Sequence, residues 1–393
     1  MSHARAGSGG GASGKRRRRL YWLPMGVIGC AEVLFCVAAS RVLPLVPALV
    51  LSIALYFATV ERFNAILHDR PRPRWITRLV DLPLFWHFGA TVFALVLSPV
   101  CLVGALVAGF ASGAPLGGAL GFFGGGVGAV YALGLLVSAW AIWIERRFVR
   151  IRRLTVSVVD LPPEFEGYTI AQLSDLHVGS FDPLARALEW AKLSNALEPD
   201  LAVVTGDLVT AGRGFYREAA QAIGTLSAKD GVFVTLGNHD LHQQDELSQL
   251  VVAHGSVVLR NESCVVRRGG AELIVAGMDA RKADPSDVKR VLAGQPQRAP
   301  IVLLSHYPTS FEAAVEAGAD LVLTGHTHGG QLGVPFFSQR FNFARLTRQR
   351  SRGPVYSGKT TMYVNAGLGT TGPPMRLAVP PEIALFTLRR RGT

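Results

Sequence analysis

Charged residues and cysteines are both scarce in this sequence of 393 residues. Asp, Glu, Lys and Arg make up only 17% of it, against roughly 25% in soluble domains. The hydrophobic content of 49% excludes an intrinsically disordered chain. The four cysteines form no C-x-x-C pair, which argues against a thiol redox site and a disulfide framework. The sequence also lacks internal repeats and the glycine-rich phosphate loop of nucleotide hydrolases.

Charge is missing altogether from Leu82 to Ile144, and between Leu20 and Val60 only Glu32 and Arg41 are charged. About 20 apolar residues span a bilayer, so these stretches are too long for buried helices of a soluble domain. We predict four transmembrane helices, near 21–40, 42–60, 82–110 and 118–144. The predicted domains are a flexible basic tail (1–19), a four-helix transmembrane bundle (20–145), a basic linker (146–154) and a second domain (155–393).

Glu32 stands near the middle of the first predicted transmembrane helix. A carboxylate is costly in lipid, so we expect its side chain to face the other helices. It is either a polar clasp between helices or a contact for an ion or a lipid, and we favour the clasp.

Arginines are distributed unequally between the two sides of the predicted helices. They are frequent in the N-terminal tail, between the second and third helices and after the fourth, whereas the other two connections contain only Arg41. The positive-inside rule then places the N-terminus and the second domain in the cytoplasm of an inner-membrane protein. Arg18 and Arg19 loosely match a twin-arginine export signal, but three further spans and Glu32 argue against a cleaved signal.

The formal net charge is +12 and the isoelectric point is near 10.0. Such values would ordinarily suggest a nucleic-acid partner. The whole excess lies in residues 1–153, however, and residues 154–393 contain equal numbers of acidic and basic side chains. The positive charge is therefore a signal of membrane topology, and we expect no nucleic-acid partner.

From about residue 155, short β-branched runs alternate with helical segments, a pattern typical of a layered α/β domain. The predicted strands are 154–159, 169–173, 201–205, 232–236, 273–276, 301–304, 321–324, 355–356, 362–364 and 383–388. The predicted helices are 183–196, 214–226, 243–253, 285–293 and 310–317.

Five predicted strands end in loops that carry Asp, Asn or His. These residues are Asp175, His177, Asp207, Asn238, His239, Asp240, His306, His326 and His328. Functional groups in α/β sheets lie at the carboxyl ends of strands, so we expect the five loops to converge on one cleft.

The candidate ligands offer carboxylate, imidazole and amide groups without thiolate, a set that suits Mn, Fe, Zn or Mg. Seven ligands from this set of nine residues are more than one tetrahedral site can take. We therefore predict two divalent metal ions, foremost Mn, that share a carboxylate. Such a centre performs in-line displacement at phosphorus, with a bridging water or hydroxide as the nucleophile.

In order and in residue type, these loops resemble the signature of calcineurin-like metallophosphoesterases over roughly residues 155–388. The matching segments are Asp175-x-His177, Gly206-Asp207, Gly237-Asn238-His239-Asp240, His306 and Gly325-His326-x-His328. The resemblance implies an αββα metallophosphoesterase sandwich with a dinuclear centre.

The resemblance also implies a role for each of these residues. Asp207 would bridge two ions, His239 would donate a proton to the leaving oxygen, and Asp240 would orient His239. The other ligands implied are Asp175, His177 and His328 for one ion and Asn238, His306 and His326 for the second. The family often carries a second aspartate three residues after the bridging one, where this chain has Thr210. That departure puts one support of His239 in question.

The C-terminal segment 363–383 resembles a bacterial membrane-associated subgroup of the same family. Some relatives hydrolyse model phosphodiesters, and one related type cleaves the pyrophosphate of a UDP-linked diacylglucosamine. We predict Asn365 and Arg376 as substrate-binding residues, since Arg376 could pair with a phosphate. The alternative is a Gly/Pro turn with a surface arginine.

An acid-free segment follows the His326 and His328 loop and alternates aromatic with basic residues. It contains Phe336, Phe337, Phe341, Phe343, Arg340, Arg345, Arg348, Arg350 and Arg352. Such a composition suits the headgroup region of an anionic bilayer, where the segment would be a lid that admits a lipid-linked phosphate. The alternative is a solvated loop whose phenylalanines pack on the domain.

The sequence thus predicts a membrane-bound, metal-dependent phosphoesterase. Its substrate would be a phosphodiester, a pyrophosphate or a phosphomonoester, with lipid-linked phosphates among the candidates. The alternatives are a nuclease of the same fold and a non-catalytic membrane sensor or binding protein.

Overall fold

The computed structural model describes residues 11–66, 71–280, 285–295, 299–346 and 350–391. The chain forms two compact units. The first, here the helical unit, comprises Met1–Asn64 and Arg78–Ala139, and the second, here the sandwich unit, comprises Ala65–Thr77 and Trp140–Thr393.

Four helices, α1 to α4, occupy the N-terminal part of the chain. Their bounds are Gly11–Ala39, Leu45–Ile66, Arg74–Ser112 and Leu116–Arg147. By length and composition α2, α3 and α4 can each cross a membrane. Among the residues of α1 whose side chains the structure describes, Met25–Ala39 form an apolar helix. Apolar membrane-type helices are therefore confirmed, but the predicted count of four spans is not. The predicted flexible tail is helical from Gly11 onward, and residues 1–10 lie outside the described part of the chain.

The helical unit contains a buried polar chain across three helices. Glu32 Oε1 of α1 lies 2.9 Å from His87 Nε2 of α3, and His87 Nδ1 lies 3.0 Å from Tyr131 Oη of α4. The ring of Phe35 packs edge-on against His87, with 4.7 Å between centroids. Of the two alternatives for Glu32, the structure shows the polar clasp.

Two six-stranded sheets form the sandwich unit. In chain order the strands are β1 Arg150–Val158, β2 Thr169–Leu173, β3 Leu201–Thr205, β4 Val232–Thr235, β5 Val257–Val258, β6 Glu262–Arg268, β7 Ala271–Gly277, β8 Ile301–Leu304, β9 Leu321–Thr324, β10 Gly353–Ser357, β11 Thr360–Val364 and β12 Glu382–Arg390. The strand order is β1-β12-β2-β3-β4-β5 in one sheet and β10-β11-β9-β8-β7-β6 in the other.

Among the described residues, six further α-helices follow the strands or lie between them. They are α5 Leu184–Asn195, α6 Tyr216–Ile223, α7 Gln244–Ala253, α8 Pro285–Leu292, α9 Phe311–Glu316 and the short α10 Phe343–Leu346. Trp190 and Leu247 pack α5 and α7 on the first sheet, and Val288 and Phe311 pack α8 and α9 on the second. A third cluster, with Phe386 of the first sheet, joins the two sheets face to face. The predicted αββα sandwich is confirmed.

All ten predicted strands and all five predicted helices of this unit are present, and β5 and β6 are additional. The central strands are buried along their whole length, as in β3, and therefore appear in the sequence as continuous apolar runs. β5 has only two residues, and β6 is the last strand of its sheet, with a largely solvent-accessible sequence ESCVVRR. An edge strand needs no such run, which explains why the prediction missed both.

Candidate metal centre

The loops after β2, β3, β4, β8 and β9 meet between the two sheets. The backbone N–H of His326, after β9, donates to Asp175 Oδ1, after β2, over 3.0 Å. His306 Nδ1, after β8, donates to the carbonyl of Thr205 at the end of β3 over 2.9 Å. Loops from opposite sheets are thus joined by hydrogen bonds, and the predicted convergence is present.

Two groups of possible ligands share one carboxylate. In each group the ligand atoms lie within 4.8 Å of one another; the groups are Asp175, His177, Asp207 and His328, and Asp207, His306 and His326. The remaining predicted ligand, Asn238, places its Oδ1 3.1 Å from His306 Nε2. The structure therefore brings all seven predicted ligands together, with Asp207 common to both groups.

Within the first group, the possible ligand atoms lie at short distances from one another. His177 Nε2 lies 3.0 Å from His328 Nε2 and 3.5 Å from Asp207 Oδ2, and His328 Nε2 lies 3.4 Å from Asp175 Oδ1. In the second group His306 Nε2 lies 3.3 Å from Asp207 Oδ2. Buried nitrogen and oxygen atoms that converge in this way fit divalent cations of the Mn, Fe, Zn and Mg class.

The protonation states of the two histidines in the first group favour metal binding. Burial, reinforced by His239, lowers the pKa of His177 to about 3. Burial and the neighbouring His177 hold the pKa of His328 well below its usual range. Both imidazoles are therefore neutral near pH 7, the form in which histidine binds a metal.

His306 differs from the other histidines of the site. Burial disfavours its charged form, but the Asp207 carboxylate outweighs that effect and raises the pKa of His306 to about 9. Burial favours the neutral form of Asp207, but the positive charge of His306 outweighs burial and holds the pKa of Asp207 well below its ordinary value. In the metal-free protein the two groups form an ion pair.

The backbone is strained at the ligand loops. Asp175, His177, Asp207, His326 and His328 all have positive φ, between 45° and 71°. Non-glycine residues seldom adopt this region, which costs of order 1–3 kcal/mol each, and such residues cluster at functional sites. The strain depends on tertiary contacts, so no local pattern in the sequence indicates it.

Close approach of loops requires glycine at Gly237. A Cβ there would lie 2.1 Å from Asp207 Oδ1, so any side chain would displace the shared carboxylate. The residue before Asp207, Gly206, adopts φ +88°, and a Cβ there would lie 2.7 Å from His306 Nδ1. Both glycines shape the loops around Asp207.

The half-buried side chain of His239 is held by the main chain of a neighbouring loop. Its Nδ1 donates a hydrogen bond to the carbonyl of Thr210, and its backbone N–H donates to Asp207 Oδ1 over 2.9 Å. A carbonyl only accepts, so Nδ1 carries a proton and Nε2 is the nitrogen available for proton transfer.

Asp240 is fully buried and its carboxylate binds backbone N–H groups. It accepts from Leu208 over 2.9 Å, from Val209 over 3.2 Å and from Gly237 over 2.8 Å. Burial, together with the charge of Asp207, raises the pKa of Asp240 to about 7. Asp240 thus positions the loop that carries Asp207, and the imidazole of His239 is oriented by Thr210.

Asn365 lies at the end of β11, next to the end of β9. Its backbone N–H donates to the carbonyl of Thr324 over 2.9 Å, and its Oδ1 accepts from Gly367 over 2.8 Å. Its buried Nδ2 has no hydrogen-bond partner among the described residues.

Arg376 is fully buried and bonded to backbone carbonyls. Its guanidinium donates to Gly369 over 2.6 Å, to Ala366 over 2.9 Å and to Val379 over 3.2 Å. Its donors hold the 366–379 segment in place, so the structure shows neither a surface arginine nor a side chain open to a phosphate.

Tyr307 is a neighbour of the site that the sequence patterns did not single out. Its ring packs edge-on against His326, with 4.7 Å between centroids, and against His306 at 5.2 Å. The available signal was its place directly after His306 at a strand end. The ring restrains both imidazoles on the second side of the centre.

Comparison with known proteins identifies relatives with the same catalytic domain. The sequence profile of the calcineurin-like phosphoesterase family matches residues 168–330. A metallophosphoesterase of Aquifex aeolicus is 30% identical over 258 residues, which cover 63% of this chain and 95% of that protein. The metallophosphoesterase YkuE of Bacillus subtilis is 29% identical over 255 residues, 64% of this chain and 89% of that protein.

A relative that combines the same domain with membrane segments comes from Danio rerio. It is a transmembrane protein with a metallophosphoesterase domain, 31% identical over 253 residues. The match covers 60% of this chain and 56% of that protein, so the chain spans little more than half of its length.

Proposed function

This chain belongs to the calcineurin-like phosphoesterase family and is a phosphoester hydrolase, and we propose that it uses two divalent ions to cleave a phosphodiester, pyrophosphate or phosphomonoester bond. Lipid-linked phosphates are our first candidates for its substrate. The proposal rests chiefly on Asp207, which belongs to both groups of possible ligands. A carboxylate shared in this way suits a pair of ions better than a single one.

The ligands divide between two positions. Asp175, His177 and His328 would hold one ion, Asn238, His306 and His326 the second, and Asp207 both. Two such ions, for which Mn is our first choice, supply the positive charge that activates water and stabilises the phosphoryl group.

His239 would supply the proton that the leaving oxygen needs. The bond from Nδ1 to Thr210 fixes the ring and leaves Nε2 to donate when the imidazole is protonated. Asp240 supports this chemistry indirectly, since its bonds to Leu208, Val209 and Gly237 position the loop of Asp207.

Our proposal for the location is based on the helices and the charges. Helices α2, α3 and α4 are apolar enough to cross a membrane, and the Danio rerio relative is named a transmembrane protein. We place the catalytic domain at the cytoplasmic face of the inner membrane on the positive-inside rule, where a lipid-linked phosphate is within reach. The equal numbers of acidic and basic residues in 154–393 do not favour a nuclease.

The test measures metal content and hydrolysis together on the full chain in detergent. With Mn²⁺ supplied, the wild type should contain two ions per chain and hydrolyse bis(p-nitrophenyl) phosphate. Asp207→Asn should lower the metal content and nearly abolish turnover. His239→Gln should keep both ions and lower kcat about 100-fold or more.

Asp230→Asn is the matched control, because this carboxylate contacts Tyr168 and Arg268 outside the centre. A wild type that contains two ions and yet leaves monoesters, diesters and pyrophosphates uncleaved would refute the proposal and support a binding protein instead.

A further inference from the structure

The segment Val334–Phe343, here the aromatic loop, exposes its apolar side chains and buries two of its polar ones. Phe336 is fully exposed, and Val334, Phe337, Phe341 and Phe343 are each more than half exposed. Ser338 and Asn342 of the same loop are buried. This arrangement is the reverse of a solvated loop, and it shows that the phenylalanines do not pack on the domain.

Hydrogen bonds hold the aromatic loop in this inverted arrangement. Val334 N–H donates to Phe341 O over 2.9 Å, and Asn342 Nδ2 donates to Ser338 O over 2.6 Å. From outside the loop, Arg352 Nη2 donates to Ser338 Oγ over 2.8 Å. The exposed phenylalanines are therefore presented by an ordered framework.

The aromatic loop is joined to the end of a candidate membrane span. Gly333 N–H, just before the loop, donates to Leu377 O over 2.9 Å. The adjacent residue, Arg376, donates its backbone N–H over 3.1 Å to the carbonyl of Ala141, which lies in the last turns of α4 and belongs, like Arg376, to the sandwich unit. Trp140 and Ile144 in those turns are also more than half exposed.

Charge around the aromatic loop matches an anionic surface. Arg340 within the loop and Arg345 just after it are exposed. By contrast, Arg350 lies 5.1 Å from the Phe311 ring centroid and Arg352 is bonded to Ser338, and Arg348 lies outside the described residues. Phenylalanine enters the headgroup and acyl boundary, while arginine binds anionic headgroups.

From these observations we propose that the aromatic loop inserts into the interface of an anionic phospholipid bilayer. The aromatic loop begins six residues after the metal-ligand residue His328. Between the two, Gln331 N–H donates to His328 O over 2.9 Å. Insertion of the aromatic loop brings the metal-ligand loop next to the lipid headgroups. This insertion does not depend on which phosphate ester is cleaved.

The test uses the full chain in nanodiscs of phosphatidylglycerol and phosphatidylcholine, with Cys30, Cys36, Cys101 and Cys264 replaced by alanine. An environment-sensitive fluorophore is attached at Phe336→Cys, a position whose full exposure makes the change harmless to packing. The matched control is Val252→Cys on α7, which is also exposed. The label at 336 should shift to the blue and be quenched at least threefold more than the label at 252 by brominated lipid.

A second pair of variants tests the role of charge. Arg340→Gln with Arg345→Gln should reduce lipid quenching at 336 at least twofold, whereas Arg267→Gln with Arg290→Gln, which removes two exposed arginines elsewhere, should leave it unchanged. Equal, weak quenching at 336 and 252 would overturn the proposal. So would a label at 336 that is shielded from aqueous quencher but insensitive to brominated lipid, since a second copy of the chain would then cover the loop.

Discussion

The imidazole of His239 is oriented by the backbone carbonyl of Thr210, which accepts the hydrogen bond of Nδ1. Thr210 is itself held on the ligand loop, since its Oγ1 donates to the carbonyl of His177 over 2.9 Å. At this position related enzymes often carry an aspartate, and threonine cannot supply a carboxylate to orient the imidazole of His239. The main chain supplies that support, so the substitution leaves the imidazole in a defined orientation.

Removal of the Thr210 side chain should therefore cost little activity. We expect Thr210→Val to retain kcat on bis(p-nitrophenyl) phosphate within about threefold, because the carbonyl stays, and to lose about 1 kcal/mol of stability with the Oγ1 hydrogen bond. His239→Gln, assayed in parallel, provides the scale of a real catalytic loss. A hundredfold fall for Thr210→Val would contradict a main-chain role.

Metal binding at the second position should depend on pH. The raised pKa of His306, about 9, means that an ion binding there displaces a proton, so the Mn²⁺ affinity should rise about tenfold per pH unit from 7 toward 9 and then level off. Titration calorimetry in buffers of different ionisation enthalpy should show about one proton released at pH 7.5. An affinity that is flat over this range would contradict the ion pair with Asp207.

The same shift predicts how the metal-free protein responds to pH. A histidine whose pKa is raised on folding stabilises the fold fully below its unfolded pKa of about 6.5. That contribution is lost as the pH rises through about 9. Thermal unfolding of the metal-free chain should therefore show a falling Tm between pH 6.5 and 9, and His306→Asn should weaken this fall.

Arg376 should matter for stability more than for substrate affinity. Arg376→Lys keeps the charge but cannot reproduce the fork that binds Gly369, Ala366 and Val379, so we expect a loss of roughly 3 kcal/mol, seen as a lower Tm of the full chain in detergent. The exposed Arg267→Lys is the control. An unchanged Tm with a severalfold higher KM would instead restore the phosphate-binding role.

The clasp in the helical unit predicts graded effects at Glu32. Glu32→Gln keeps a hydrogen-bonding partner for His87 and should change thermal stability little. Glu32→Ala leaves the buried imidazole with one partner fewer and should cost about 1–2 kcal/mol. Melting curves in detergent give the comparison. If Glu32→Ala melts like the wild type but loses turnover, an ion or lipid contact would be the better interpretation.

Much of this fold could be predicted because the patterns involved are local. Long uncharged runs such as Leu82–Ile144 indicate membrane-type helices, and buried strands such as Leu201–Thr205 appear as continuous apolar runs. Three of the four predicted spans correspond to helices long and apolar enough to cross a membrane, and the span at α1 stays a prediction. The edge strand Glu262–Arg268 has too little apolar periodicity to be recognised.

The order of residues along the chain is enough to predict which residue types follow each strand, and hence that Asp175, His177, Asp207, His306 and their partners could form one centre. The pairing of buried donors and acceptors becomes visible in the folded molecule: Thr210 pairs with His239, Asp240 with the backbone around Asp207, and Arg376 with three carbonyls. The reason is physical. A strand and the residue type at its end depend on neighbours in the sequence, whereas the partner of a buried polar group depends on which distant loop folds against it.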